Sequence, residues 1–175
     1  GMAATAALYF SNLDKLFAQT ATSSSLPFDM VAVRNGEPDV MFDAAIKSLG
    51  GMKSFVSKGD KVVVKPNIGW DVNPARAANT NPLLVKNIIL HCFEAGASEV
   101  FVFDYTCDEW QNCYKNSEIE SYAKQAGAKV VSGNFENNYR PVTIKKGVSL
   151  KEAKVHELIL DSEVFINVPV LKHHS

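Results

Sequence analysis

Gly59-Asp60-Lys61-Val62-Val63-Val64-Lys65-Pro66-Asn67 is the stretch on which the fold turns. A Gly-Asp turn leads into three consecutive valines held between two lysines. A continuous β-branched run of this kind suits a strand buried on both faces of a parallel sheet, because a half-solvated strand would alternate apolar with polar positions. Pro66 has no amide hydrogen to give to a ladder and closes the run.

Working outward, Asn81-Pro82 places an N-cap residue before a proline at the first helical position, and the apolar run 83–93 ends at Gly96. This predicts a helix whose C-cap is the glycine. The segment 100–103 reads as the next strand. Ile119, Tyr122, Ala123 and Ala126 then form a helical face before Gly127 and the strand at 129–131. Ala95-Gly96-Ala97 and Ala126-Gly127-Ala128 repeat one helix-stop, strand-start device, so strand–helix–strand units with right-handed crossovers follow. Upstream, 28–34 reads as a first strand and Asn35-Gly36 as a turn. Met41, Ala45, Leu49, Met52 and Val56 keep helical spacing after Pro38, with a break at Gly50-Gly51. Downstream, 140–144 and 157–160 read as short strands, and Val164-Phe165-Ile166-Asn167-Val168 as a buried one.

The fold class expected is α/β, an open, mainly parallel sheet with helices on both faces. It looks incomplete at the C-terminus, since no covering helix follows the last strand. The expected organisation is an apolar N-terminal segment and linker at 1–27 and a single α/β domain at 28–175.

The 175 residues carry 18 basic against 19 acidic side chains, a formal net charge of −1, so no basic face for nucleic acid is expected. No apolar run reaches the length needed to span a bilayer, which argues against an integral membrane protein. Cys92, Cys107 and Cys113 show no Cys-x-x-Cys spacing and supply no iron–sulfur cysteine motif. The segment 3–20 is small and apolar but lacks a basic start. It reads either as the remnant of an export signal, which places the protein in the periplasm or otherwise outside, or as an amphipathic helix through Leu8, Leu13, Leu16 and Phe17, with the cytoplasm as the alternative compartment. Under the export reading Cys107 and Cys113 could close a small disulfide loop.

Ligands of open α/β sheets sit beyond the carboxyl ends of the strands. That rule selects Lys65 and Asn67, Thr80 with the helix start, Asp104 after the third strand, and Lys172 with His174 after the last. Lys65 offers a point charge, Asn67 a donor and an acceptor, and the helix start partial positive charge. Asp104 could serve as metal ligand, hydrogen-bond acceptor or base, and His174 as metal ligand or acid–base group. Blander roles stand beside these: Asn81 as a cap only, Lys65 as a solvated strand end, Asp104 as a turn former. His91, inside the first clear helix, reads as a partly buried structural histidine. Trp70 and the segment 105–114 read either as a lid or as loop packing. No phosphate-binding glycine fingerprint, P-loop, zinc-protease or nucleophile-elbow motif is present.

Leu49-Gly50-Gly51-Met52, Phe55-Val56, Gly59 to Asn67, Thr80-Asn81-Pro82, Glu94-Ala95-Gly96-Ala97 with Val100, Asp104, and Val168-Pro169-Val170-Leu171-Lys172-His173-His174 together resemble the domain of unknown function 362 family. The resemblance spans about 31–174 and looks like the N-terminal portion of the usual domain. It implies a polar cluster at Lys65, Asn67, Thr80, Asp104, Lys172 and His174. Many relatives carry ferredoxin-type cysteine motifs and some begin with twin-arginine export signals, and this chain has neither. A distant likeness to the N-terminal domain of nickel-dependent lactate racemase points, by fold analogy, to an α/β ligand or cofactor site. The reading reached is a protein binding a small anionic ligand or a metal-linked cofactor, with Asp104 and His174 as the catalytic pair, Lys65, Asn67, Thr80 and Lys172 as ligand-binding residues, and redox chemistry implied by the family. The alternative is a non-catalytic binding or assembly module completed by another chain, as in a homo-oligomer.

Overall fold

The computed structural model describes residues 28–173. The segment 3–20 and His174 therefore lie outside the described residues. In chain order the strands are β1 (Lys61–Pro66), β2 (Glu99–Val102), β3 (Lys129–Val130), β4 (Tyr139–Thr143), β5 (Glu152–His156) and β6 (Val164–Val168). The helices are α1 (Pro38–Ser48), α2 (Pro82–Ala95), α3 (Trp110–Asn116), α4 (Ile119–Gln125) and the single turn α5 (Glu157–Leu160).

β1 is an inner strand of a four-stranded, all-parallel sheet ordered β3-β2-β1-β6. The valine run is there because both faces of β1 are covered: Val62, Val63 and Val64 are fully buried. Each contributes about 2 kcal/mol of apolar transfer, an upper bound for a compact unfolded chain. Alternation divides the sheet. Val62, Val64, Val100, Val102, Val164, Ile166 and Val168 pack with Ile46, Val85, Ile88, Ile89, Ile119 and Ala123 of the helices in one core. Val63, Lys65, Phe101, Phe165 and Asn167 alternate to the opposite face.

The steps from β1 to β2 and from β2 to β3 run in one direction, so right-handed crossovers put α2, α3 and α4 on the same face. The step from β3 to β6 runs back past β1, and its crossover belongs on the other face. It contains the antiparallel pair β4–β5 and α5. The His156 ring at the start of α5 stacks on Phe103 with centroids 4.2 Å apart.

α2 has the ends its sequence predicts. Asn81 accepts from the amides of Leu83 (2.9 Å) and Leu84 (3.4 Å), and Gly96 closes the helix at φ 109°. A side chain at Gly96 would also meet Lys58 Cα at 3.0 Å. Gly127 repeats the device at φ 93°.

Two local expectations are corrected, and of the two readings of 105–114 the packed loop is the one found. Residues 28–34 form no strand: they have no ladder partner, and Phe28 and Met30 are exposed. Residues 157–160 are helical rather than extended, because His156 Nδ1 accepts from the Leu158 amide (3.2 Å) and starts a turn; the strand is the preceding Glu152–His156. The segment 105–114 contains the start of α3 and buries Tyr114 in the core, so it is packed structure rather than a free lid.

Candidate functional site at the crossover cleft

The crossover leaving β1 leads to β2 on one side, whereas the chain enters β6 from β3 on the other, so the winding of the sheet reverses between β1 and β6. That reversal is the topological switch point at which α/β sheets open a crevice. The sequence-selected residues within the described chain gather there.

The loop after β1 is tied at its base. Thr80 N donates to Asn67 O (2.9 Å), Asn67 N donates to Thr80 Oγ1 (2.8 Å), and Thr80 Oγ1 donates onward to Val168 O (2.7 Å). One threonine therefore links the ends of β1 and β6, and its proton and one lone pair are engaged in doing so. Buried Asn79 organises the rest: its Oδ1 accepts from Gly69 N (3.0 Å) and Trp70 N (3.1 Å), and its Nδ2 donates to Trp70 O (2.8 Å). Lys172, on the segment after β6, reaches back to donate to Ala78 O (2.6 Å).

Asp104 is 5% exposed. A carboxylate at that depth needs partners, and it has two: the Lys65 ammonium pairs with Oδ1, and Ile68 N donates to Oδ2 (2.7 Å). The Lys65 side chain is 33% exposed, so the lysine is anchored by a buried carboxylate without being buried itself. The Asp104 backbone is held as tightly. Its amide donates to Tyr114 Oη (2.8 Å), and that hydroxyl in turn faces Asp104 O (2.8 Å) and Val131 O (3.0 Å). Burial pushes the Tyr114 phenol well above its ordinary range, so it stays a donor. Gly133 closes the frame, since a Cβ there would stand 2.6 Å from Asp104 O.

One expectation about charge changes, and one reading holds. The helix start at Pro82 offers little to an anion, because proline has no N–H and Asn81 already accepts from the next two amides. His91 is structural: its Nε2 lies 2.8 Å from Asp43 Oδ1, clasping α1 to α2. That hydrogen bond, with a second from Asn87, holds the Asp43 carboxyl below its usual range.

The thiols of Cys92, Cys107 and Cys113 are free; Cys92 and Cys113 are buried and Cys107 is exposed. Burial pushes Cys92 up to about 12 and raises Cys113. Among the described residues no three His, Cys, Asp or Glu side chains are grouped to hold a metal, so the residues present do not fit an iron–sulfur cluster. A separate cleft of about 670 Å³ lies between the loop after β1 and the α3–α4 junction. It contains none of the selected residues, and its Asp71 and Glu118 offset its Arg76 and Lys115.

Tyr114, Asn79 and Asn167 went unselected in the sequence. A polar residue inside the apolar run of β6 was the available signal for Asn167. Nothing in spacing alone tells that Tyr114 braces Asp104.

Fold and site together define an open parallel α/β protein whose polar groups collect at the sheet's switch point. The chain belongs to the DUF362 family, a domain of unknown function, whose family model matches residues 62–175. It is also similar to the thylakoid-associated protein sll1697 of Synechocystis sp. (strain ATCC 27184 / PCC 6803 / Kazusa), 24% identical over 133 residues. That match covers 74% of this chain and 39% of the relative, so the chain spans about two fifths of the relative's length. No solved structure matches it significantly. No helix among the described residues is long and apolar enough to cross a membrane.

Proposed function

We propose that the crossover cleft binds a small anionic ligand, with Lys65 as its principal charge. The observation that carries this reading is the Lys65–Asp104 pair: a buried carboxylate fixes the ammonium of a lysine whose side chain remains 33% exposed at the switch point. A lysine held in this way has two further N–H donors for an oxyanion. Asn67 and Thr80 shape the floor, and Lys172 adds the second cation on the loop that returns from β6. Asp104 acts here as the anchor of the cation. A role for it in proton transfer, together with His174, is the further step that a bound substrate would have to reveal.

Titration with inorganic phosphate and with acetate, read by calorimetry and by the thermal midpoint, tests this. The expected result is saturable binding that Lys65→Gln weakens at least tenfold. Absence of any anion effect, or equal affinity in Lys65→Gln, overturns the reading. The metal-linked and redox forms draw only Asp104 from the described residues. Metal lost on Asp104→Ala, by elemental analysis of anaerobically purified protein, is the result that would support them.

A second reading is favoured by β6, which lies at the sheet margin with Val164, Phe165, Ile166 and Val168 only partly covered. An apolar edge strand of this kind is a template for another strand, and assembly with a second copy would cover it. A concentration-independent monomer mass in solution would remove this reading. Export, proposed from residues 3–20, and the membrane-surface location that the name of the thylakoid-associated relative raises, are both tested by cell fractionation.

A further inference from the structure

The apolar run of β6 is interrupted once, by Asn167, a residue disfavoured in strands. Its register partner on β1 is Lys65. The alternation that sends Val164, Ile166 and Val168 into the helical core turns Asn167 to the opposite face, the face of Lys65. Laterally aligned residues of neighbouring strands stand about 5 Å apart. The two residues therefore stand side by side on one face at the carboxyl ends of β1 and β6, with the Lys65 ammonium drawn toward Asp104 on the β2 side. A small ligand bound at the ammonium from the β6 side would come within reach of the Asn167 amide. Asn167 is exposed, and its side chain has no hydrogen-bond partner among the described residues. The next residue is pinned, since Val168 O accepts from Thr80 Oγ1, so the strand presents Asn167 from a fixed backbone.

We infer that Asn167 is a ligand-binding residue of the cleft, and that it selects an oxyanion still carrying an O–H group, such as a hydrogen phosphate or a hydroxycarboxylate. This rests on the anion-binding reading and names the class of ligand. A carboxamide presents a donor and an acceptor side by side. Nδ2–H serves one ligand oxygen while Lys65 neutralises the charge, and Oδ1 accepts from the ligand's own hydroxyl. A fully deprotonated oxyanion without a hydroxyl would place a lone pair against Oδ1 and forfeit that bond. The cleft should therefore separate oxyanions of similar size and charge by whether they carry a proton.

The test compares four probes at neutral pH by calorimetry: inorganic phosphate and glycolate, which carry an O–H, and sulfate and acetate, which do not. The parent should prefer phosphate to sulfate, or glycolate to acetate, by about tenfold, the worth of one hydrogen bond. The pair that shows the preference identifies the ligand type. Asn167→Leu, which suits an edge strand, and Asn167→Ser as a second variant should both fold, checked by thermal melting, and lose the preference. Preference and affinity unchanged in both variants while Lys65→Gln abolishes binding would overturn the role of Asn167 and leave the anion reading standing. Equal binding of protonated and unprotonated probes by the parent overturns the ligand class. No binding of any probe by the parent overturns this inference and the anion reading together.

Discussion

Thr80 and Val168, 88 residues apart in the chain, are joined by a 2.7 Å hydrogen bond from Thr80 Oγ1 to the Val168 carbonyl. The same hydroxyl accepts from Asn67 N, so one side chain ties the exit of β1 to the exit of β6. Thr80→Val keeps the shape and removes the oxygen, leaving a partly buried amide and carbonyl without this partner. The expected loss is about 2 kcal/mol of unfolding free energy, read from urea denaturation. The loops on either side of the cleft would separate, and anion affinity would fall with it.

Tyr114→Phe is the corresponding test at the other wall. It removes the hydroxyl that accepts from Asp104 N and faces Asp104 O and Val131 O. The apolar ring, buried in the core, stays in place. A destabilisation of about 1–3 kcal/mol is expected from the stranded polar groups. An unchanged denaturation midpoint would show that the hydroxyl bears no part in holding Asp104.

His156 gives the stability a pH dependence of defined sign. Its Nδ1 accepts the Leu158 amide and its ring is buried between Phe103 and Tyr139, so the folded state favours the neutral imidazole; burial lowers its pKa, partly countered by Glu157. The unfolded chain then binds more protons than the folded one below the ordinary histidine value of about 6.5. The contribution is fully present above that pH and is lost as pH falls toward the depressed folded value. Unfolding free energies measured across this range should decline in the parent and decline less in His156→Asn, where a cap can form without a titrating group.

The thiols should react in two classes. Cys107 is exposed, whereas Cys92 and Cys113 are buried with pKa values raised by that burial. Alkylation of reduced native protein should modify Cys107 alone, and all three should react after denaturation, with mass spectrometry counting the adducts. Rapid native labelling of Cys92 would contradict its place on the buried face of α2.

Much of the fold was legible because local chemistry dictates it. The valine run, the Asn81-Pro82 start and the glycines at 96 and 127 state strand, helix start and helix stop without reference to distant residues, and all are found in those roles. Residues 28–34 misled because β-rich composition makes a strand only where another strand accepts it. Residues 157–160 misled because a short apolar run does not distinguish strand from helix; Glu and Leu favour the helix, and the His156 cap starts it. At the site, Lys65 and Asp104 were legible from their positions at strand ends, but their pairing was not. It depends on strand order, and so does the register that sets Asn167 beside Lys65.

That strand order also governs how the chain can fold. β1 is an inner strand, yet its neighbour β6 is the last of the described strands in sequence, and the contact between Lys61 N and the Glu163 carboxylate closes a separation of 102 residues. During synthesis β1, α2 and β2 emerge and can pair early, leaving one edge of the most deeply buried strand unsatisfied until β6 follows. Closing so distant a pairing is entropically slow, and the waiting edge is open to other chains. Refolding should therefore contain a late, concentration-sensitive step in which β6 docks, and the cleft, built from the ends of both strands, comes into being only with that step.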